Sequence, residues 1–213
     1  MVLDAVSILT LTTPDGERLE AILDKADEPR GVVVICHPHP QHGGTMRAPI
    51  LGAIAKHAVA EGFSALRFNF RGVGDSTGTH GLGREELNDV SAAITYAANN
   101  CHKTVGIVGW SFGAAVALRW QAIAGSSMSY VGIAPPVTSY LTPDLPDSET
   151  LVAAKRAFII GERDQFIDAD ELERYADSIS AETIRYPGTD HFFVLRHKRL
   201  AEDVVRLIGG PTD

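Results

Sequence analysis

Two cysteines in 213 residues, and a deficit of positive charge, set the first limits on this chain. Cys36 stands inside an apolar run and Cys101 in a polar turn, so the two thiols suit a reducing, cytoplasmic setting better than a disulfide framework. Lys and Arg number 19 against 27 Asp and Glu, a net charge of −8, which leaves no basic stripe to neutralise phosphates. No polybasic segment is present to hold the chain to an anionic membrane surface. Nor does any apolar run approach the roughly 20 residues of a membrane-spanning helix. The start, "MVLDAVSILTLTTPDG", lacks the basic lead and long apolar stretch of a secretory signal. Nucleic-acid binding, membrane insertion and disulfide-stapled secretion are all disfavoured.

What is present is ordinary globular composition, 45% apolar and 22% charged, sufficient for one α/β domain spanning residues 1–213. "VSILTLTT" and "RLEAILD" read as strands joined at Pro14-Asp15-Gly16, a hairpin signal. Strand and helix then alternate. "GVVVICHP", "FSALRFNF", "TVGIVG", "SYVGIA", "RAFIIG" and "ETIRYP" read as strands. Helical spacing appears at 47–61, in Leu87, Val90, Ile94 and Ala97, and in "FGAAVALRWQAIA". It returns in Leu172, Tyr175, Ala176 and Ile179, and in a closing run from Leu200 to Ile208. This alternation predicts a parallel sheet between helical layers with an antiparallel start. Chemistry in such sheets sits beyond the carboxyl ends of the strands.

In "VGIVGWSFGAAVAL", residues 105–118, Ser111 follows an apolar strand and lies between Gly109 and Gly113. A G-x-S-x-G alone is a weak signal; at a strand-to-helix junction it is a far more restrictive one. A turn that sharp forces the serine into a strained backbone region, and side chains two positions to either side would collide. The helix starting at Ser111 also points its positive end and free N–H groups at any anion formed there.

A serine nucleophile needs a base, and the base needs an orienting acid. His191, in "YPGTDHFFV", follows the last strand, and Asp164, in "IIGERDQFID", follows the strand before it. Glu162, Asp168 and Asp190 are rivals to Asp164. His57, His102 and His197 fall on helices or turns and His80 in a polar glycine-rich loop, so these read as surface residues. One oxyanion donor is expected from the backbone N–H of Phe112. The other should come from His37-Pro38-His39-Pro40, where proline's missing N–H leaves His39 as the donor among residues 38–40. Arg71 and Asp75, in "RGVGDS", read as braces for loops, and Gly43-Gly44 as a backbone requirement.

"GWSFG", "RFNFRGVGDS", "HPHPQHGGTM" and "GTDHFF" resemble the α/β-hydrolase superfamily over about residues 17–208. The resemblance is to small bacterial serine hydrolases related to dienelactone-hydrolase-like and acyl-peptidase-like members. It implies a mostly parallel sheet of about eight strands, the second antiparallel, with helices on both faces and a minimal lid. It also implies Ser111 as nucleophile, Asp164 as acid, His191 as base, and Phe112 and His39 as oxyanion donors. Dienelactone hydrolases proper carry cysteine where this chain has Ser111, so dienelactone is not carried over as substrate.

The expected activity is hydrolysis of short to medium acyl esters, with thioesters or small amides and peptides as the alternative by the same mechanism. Trp110, Tyr140, Phe166 and Phe192 are expected to line an apolar pocket. No cofactor is called for, and the partner is a small-molecule acyl substrate, with a homodimer left open. Two readings from other classes compete. One is a non-catalytic ligand-binding homologue of the same fold. The other is a metal site at His37, His39 and His42, whose H-x-H-x-x-H spacing resembles a metallo-hydrolase signature but has Gln41 where aspartate is required.

Overall fold

The computed structural model describes residues 6–101 and 103–209, so His102 lies outside the described residues. Strands β1 (Val6–Thr12), β2 (Arg18–Asp24), β3 (Val32–Cys36), β4 (Ser64–Phe68), β5 (Thr104–Trp110), β6 (Ser129–Ile133), β7 (Arg156–Gly161) and β8 (Glu182–Tyr186) form one eight-stranded sheet. Their order is β1-β2-β4-β3-β5-β6-β7-β8. Strand β2 runs against both neighbours, and every other pairing is parallel.

Helices α1 (Pro49–Ala60) and α5 (His197–Gly209) cover one face; α2 (Glu86–Asn100), α3 (Phe112–Ile123) and α4 (Ala169–Ser178) cover the other. Period-two alternation feeds both layers. Val33 and Ile35 of β3 pack with α1 and α5, while Val34 and Cys36 pack with α2 and α3. Helix α3 has eight buried residues, as its near-absence of polar side chains requires. Helix α1 opens on Pro49, where the missing N–H breaks no bond, and α4 is capped by Asp168, which accepts from Glu171 N–H at 2.8 Å.

Between β6 and β7 the only regular structure is one 3-10 turn, Ser148–Thr150, so nothing in this connection forms a helical lid. No helix among the described residues is long and apolar enough to cross a membrane.

Arg71 braces the fold as the sequence implied. Its guanidinium reaches Asp89 at 2.7 and 2.9 Å and Asp15 at 2.9 Å, joining the β1–β2 turn to α2. Asp75 does not: it is exposed, and only its backbone N–H is engaged, by Glu20. His80 also departs from expectation. Its side chain is 8% exposed, with Nδ1 2.8 Å from Oε1 of the fully buried Glu86. Glu86 fixes this loop by accepting from the N–H groups of Gly81 and Gly83.

Candidate active site

Strands β3, β5, β7 and β8 run in the same direction, so the residues following them gather at one edge of the sheet. Ser111 joins β5 directly to α3 with φ 53° and ψ −119°, a conformation that costs an L-residue about 1–3 kcal/mol. The elbow is pinned by Ser111 N–H donating to Ile133 C=O at 2.7 Å, and by Ala114 and Ala115 N–H donating to Ser111 C=O. A Cβ on Gly109 would lie 2.4 Å from the Ala114 backbone, and one on Gly113 2.3 Å from the His37 carbonyl. Neither contact has room to relax, so glycine is required at both positions.

His191 Nδ1 lies 2.7 Å from Asp164 Oδ2, and both side chains are buried. The second oxygen of Asp164 accepts from the N–H groups of Phe166 and Ile167, each at 2.9 Å. The rival carboxylates are committed elsewhere. Asp168 caps α4, Asp190 accepts from the N–H of Phe192, and Glu162 lies 3.9 Å from Arg185. With Nδ1 directed at the carboxylate, His191 presents Nε2 to the cavity that Ser111 also lines. Among the described residues the two are not hydrogen-bonded to each other; such bonds tighten when substrate binds.

The loop leaving β3 brings three histidines together, with distinct environments. His37 is buried. Its Nδ1–H donates to Pro38 C=O at 2.6 Å, and Nε2 accepts from Phe70 N–H at 3.0 Å. Both ring nitrogens are thereby occupied, so His37 cannot join His39 and His42 as a metal ligand without unmaking the loop. Burial holds its pKa down at about 4. The His39 ring stacks on His42 (centroids 4.4 Å apart) and meets His80 and Phe112 at 4.9 and 5.0 Å. Its pKa also falls to about 4, chiefly through burial and then through the neighbouring His42 and His80. The backbone N–H of His39 donates to no acceptor among the described residues, and neither does that of Phe112 at the first position of α3.

Ser111, His191, His39 and Phe112 share the wall of an open cavity of about 730 Å³. Trp110, Tyr140, Phe166 and Phe192 line it as well; Trp110 is 7% exposed, Tyr140 91%. Trp110, Phe166 and Phe192 surround the His191 ring at centroid distances of 5.8, 5.1 and 5.7 Å. Sequence reasoning did not place Arg47 here, nor Tyr140's neighbours Thr138, Ser139, Leu141 and Thr142, yet all line the cavity. The one signal available for Arg47 was its position in the β3 loop, just beyond Gly43-Gly44. Gly44 lets that loop fold on itself, since a Cβ there would meet Pro38 C=O at 2.1 Å.

A mostly parallel sheet carrying a strained serine elbow and a buried His–Asp pair at its carboxyl edge defines an α/β-hydrolase of the serine hydrolase type. The comparisons refine that class. The dienelactone hydrolase family pattern matches residues 71–206, and the chain belongs to that family. An uncharacterized protein of Rickettsia prowazekii (strain Madrid E) is 31% identical, the match covering 84% of this chain and 79% of that protein. An alpha-beta serine hydrolase homologue from Coxiella burnetii superposes with a TM-score of 0.82 at 28% identity, covering 94% of this chain and 96% of its own. A serine hydrolase without lid from Xanthomonas campestris gives a TM-score of 0.82 at 25% identity, covering 100% and 99%.

Proposed function

We propose that the chain is a carboxylesterase that cleaves esters of short to medium acyl chains through an acyl-enzyme on Ser111. The observation that carries this reading is the strained elbow: Ser111 is held at φ 53° in the same cavity wall as a His191 ring oriented by Asp164. Strain of this order persists only where the surroundings impose it, and here Gly109, Gly113 and the Ile133 carbonyl do so.

On this reading Ser111 Oγ attacks the ester carbonyl while its proton passes to His191 Nε2. The imidazolium keeps its Nδ1–H on Asp164, and the tetrahedral oxyanion takes hydrogen bonds from the N–H groups of Phe112 and His39. His191 then gives its proton to the leaving alcohol oxygen as the C–O bond breaks. Water, deprotonated by the same nitrogen, attacks the acyl-enzyme; carboxylic acid leaves and Ser111 recovers its proton. The two unengaged N–H groups suit an oxyanion, and a β6–β7 connection that forms no helical lid favours small, freely entering esters. The same reading keeps the chain cytoplasmic, in line with its free thiols at Cys36 and Cys101.

The test is intact-mass analysis after incubation with a fluorophosphonate, beside a chain-length series of p-nitrophenyl esters. One adduct per wild-type chain, absent from Ser111→Ala and unaffected by EDTA, is the expected result. Well-folded wild type that neither labels nor turns over any ester would overturn the proposal in favour of ligand binding alone. EDTA-sensitive turnover without labelling would return the histidine cluster to consideration.

A further inference from the structure

The cavity wall carries charge of one sign. Acidic residues outnumber basic ones in the chain, 27 to 19, yet no Asp or Glu lines the cavity among the described residues. Asp164 stands behind His191 with its side chain 0% exposed. Arg47 supplies the only permanent positive charge in the lining.

Arg47 is also held in place. Its N–H donates to Thr45 Oγ1 at 3.2 Å, and on the adjoining residue Met46 N–H donates to Asn69 Oδ1 at 2.8 Å. Met46 C=O accepts from Arg67 at 3.1 Å. The guanidinium, by contrast, is only partly used. Nη2 donates to Glu20 Oε1 at 3.1 Å, while Nε and Nη1 meet no protein acceptor among the described residues. The side chain is 60% exposed, and Glu20 divides its charge with Asn69 Nδ2 at 2.8 Å. A guanidinium has five N–H groups, so one edge stays free for a second carboxylate.

The proposed chemistry decides which part of a substrate faces that edge. His191 must protonate the leaving oxygen, so the alcohol portion lies beside His191 and its neighbours Trp110, Phe166 and Phe192. The acyl portion then faces the rest of the lining, the loop from Gly43 to Arg47 and the uncharged stretch 138–142, where Arg47 is the one permanently charged group. We infer that Arg47 anchors a carboxylate at the far end of the acyl chain, so that the preferred substrates are half-esters of dicarboxylic acids with an apolar leaving group. Water releases the diacid and the alcohol. This assignment rests on the esterase reading above.

The experiment compares p-nitrophenyl hemiglutarate with p-nitrophenyl valerate, esters of equal acyl length that differ in the terminal carboxylate. Wild type should favour the hemiglutarate about tenfold in kcat/KM, mainly through KM, as one partly exposed charge-assisted contact allows. Arg47→Gln should lower that ratio about tenfold, and Arg47→Lys should restore part of it. Glu20→Gln, which removes the competing carboxylate, should keep or raise the ratio. If Arg47 served only as a brace for Glu20, both variants would change stability and leave the ratio unmoved. A wild-type ratio at or below one, or an equal ratio in Arg47→Gln, overturns the inference. Should neither ester be hydrolysed, the esterase reading fails, and calorimetric titration with glutarate decides the anchor separately. Binding lost in Arg47→Gln sustains it, whereas equal binding or none removes it.

Discussion

Asp164 holds His191 with one carboxylate oxygen and its own loop with the other. Oδ2 lies 2.7 Å from the imidazole Nδ1, and Oδ1 accepts from Phe166 and Ile167 N–H at 2.9 Å. Asp164→Asn keeps an oxygen for the loop and takes the acceptor from the ring, which favours the wrong tautomer. Activity on the best ester should fall about 10³- to 10⁴-fold with little change in melting temperature. A loss below tenfold would show that another carboxylate orients the base.

Gly113 is a tighter constraint than its place in the motif indicates. An added Cβ would lie 2.3 Å from His37 C=O and 2.6 Å from Cys36 C=O, both backbone atoms of the central strand and the loop leaving it. Gly113→Ala should destabilise the fold by about 1–3 kcal/mol, because β3 or the first turn of α3 must move. Urea unfolding measures the stability, and the ester assay should show that activity falls with it. Unaltered stability would mean that α3 is less firmly seated on the sheet than its burial indicates.

The architecture was legible because each strand announces itself. Val-rich runs such as "VVVIC" have no amphipathic alternative, and the alternation of strand and helix leaves one class of fold. The gathering of Ser111, Asp164 and His191 was legible for the same reason: each lies just past the carboxyl end of a strand, β5, β7 and β8 in turn. Most of the unread residues sit in loops, where hydrophobic period carries no information. The His80 side chain is largely covered because Glu86, six residues on, holds its loop through two backbone N–H groups. Glu86 and Asp89 face inward from α2, as a polar pattern would not predict. Arg47 reaches the cavity only because Asn69 and Arg67, from the end of β4, hold the backbone of Met46 beside it.

The buried histidines make stability depend on pH with a definite sign. His37 and His39 hold pKa values of about 4, against 6.5 for an ordinary imidazole. Below pH 6.5 the unfolded rings take up protons that the native rings refuse, so stability present above that pH is lost as pH falls toward 4. Asp89 opposes this. Burial raises its carboxyl to about 6, so the native state binds that proton first and gains stability below pH 6. Two rings against one carboxyl leave a net loss of about 3 kcal/mol between pH 7 and pH 4.5. Urea unfolding at the two pH values measures it, and Asp89→Asn should steepen the decline. A native state equally stable at both would mean that one of the rings is charged in the fold.

His39 allows its backbone and its ring to be tested apart. Its φ is −53° and ψ 121°, close to proline's fixed φ near −65°, and its N–H donates to no acceptor among the described residues. His39→Pro therefore removes one N–H with little bending of the loop. His39→Ala keeps the N–H and removes the ring, with its Nδ1 bond to Gln41 N–H at 3.2 Å and its stacking on His42. Both variants lose the ring, so the difference between them isolates the N–H. If that group stabilises the oxyanion, kcat in His39→Pro should lie about 10²- to 10³-fold below kcat in His39→Ala, with similar melting temperatures. His39→Ala itself should stay within about tenfold of wild type, since losing a positioning ring leaves the donor in place. Equal rates in the two variants would move the role from the backbone to the imidazole, and the second oxyanion donor would then have to be sought elsewhere in the loop.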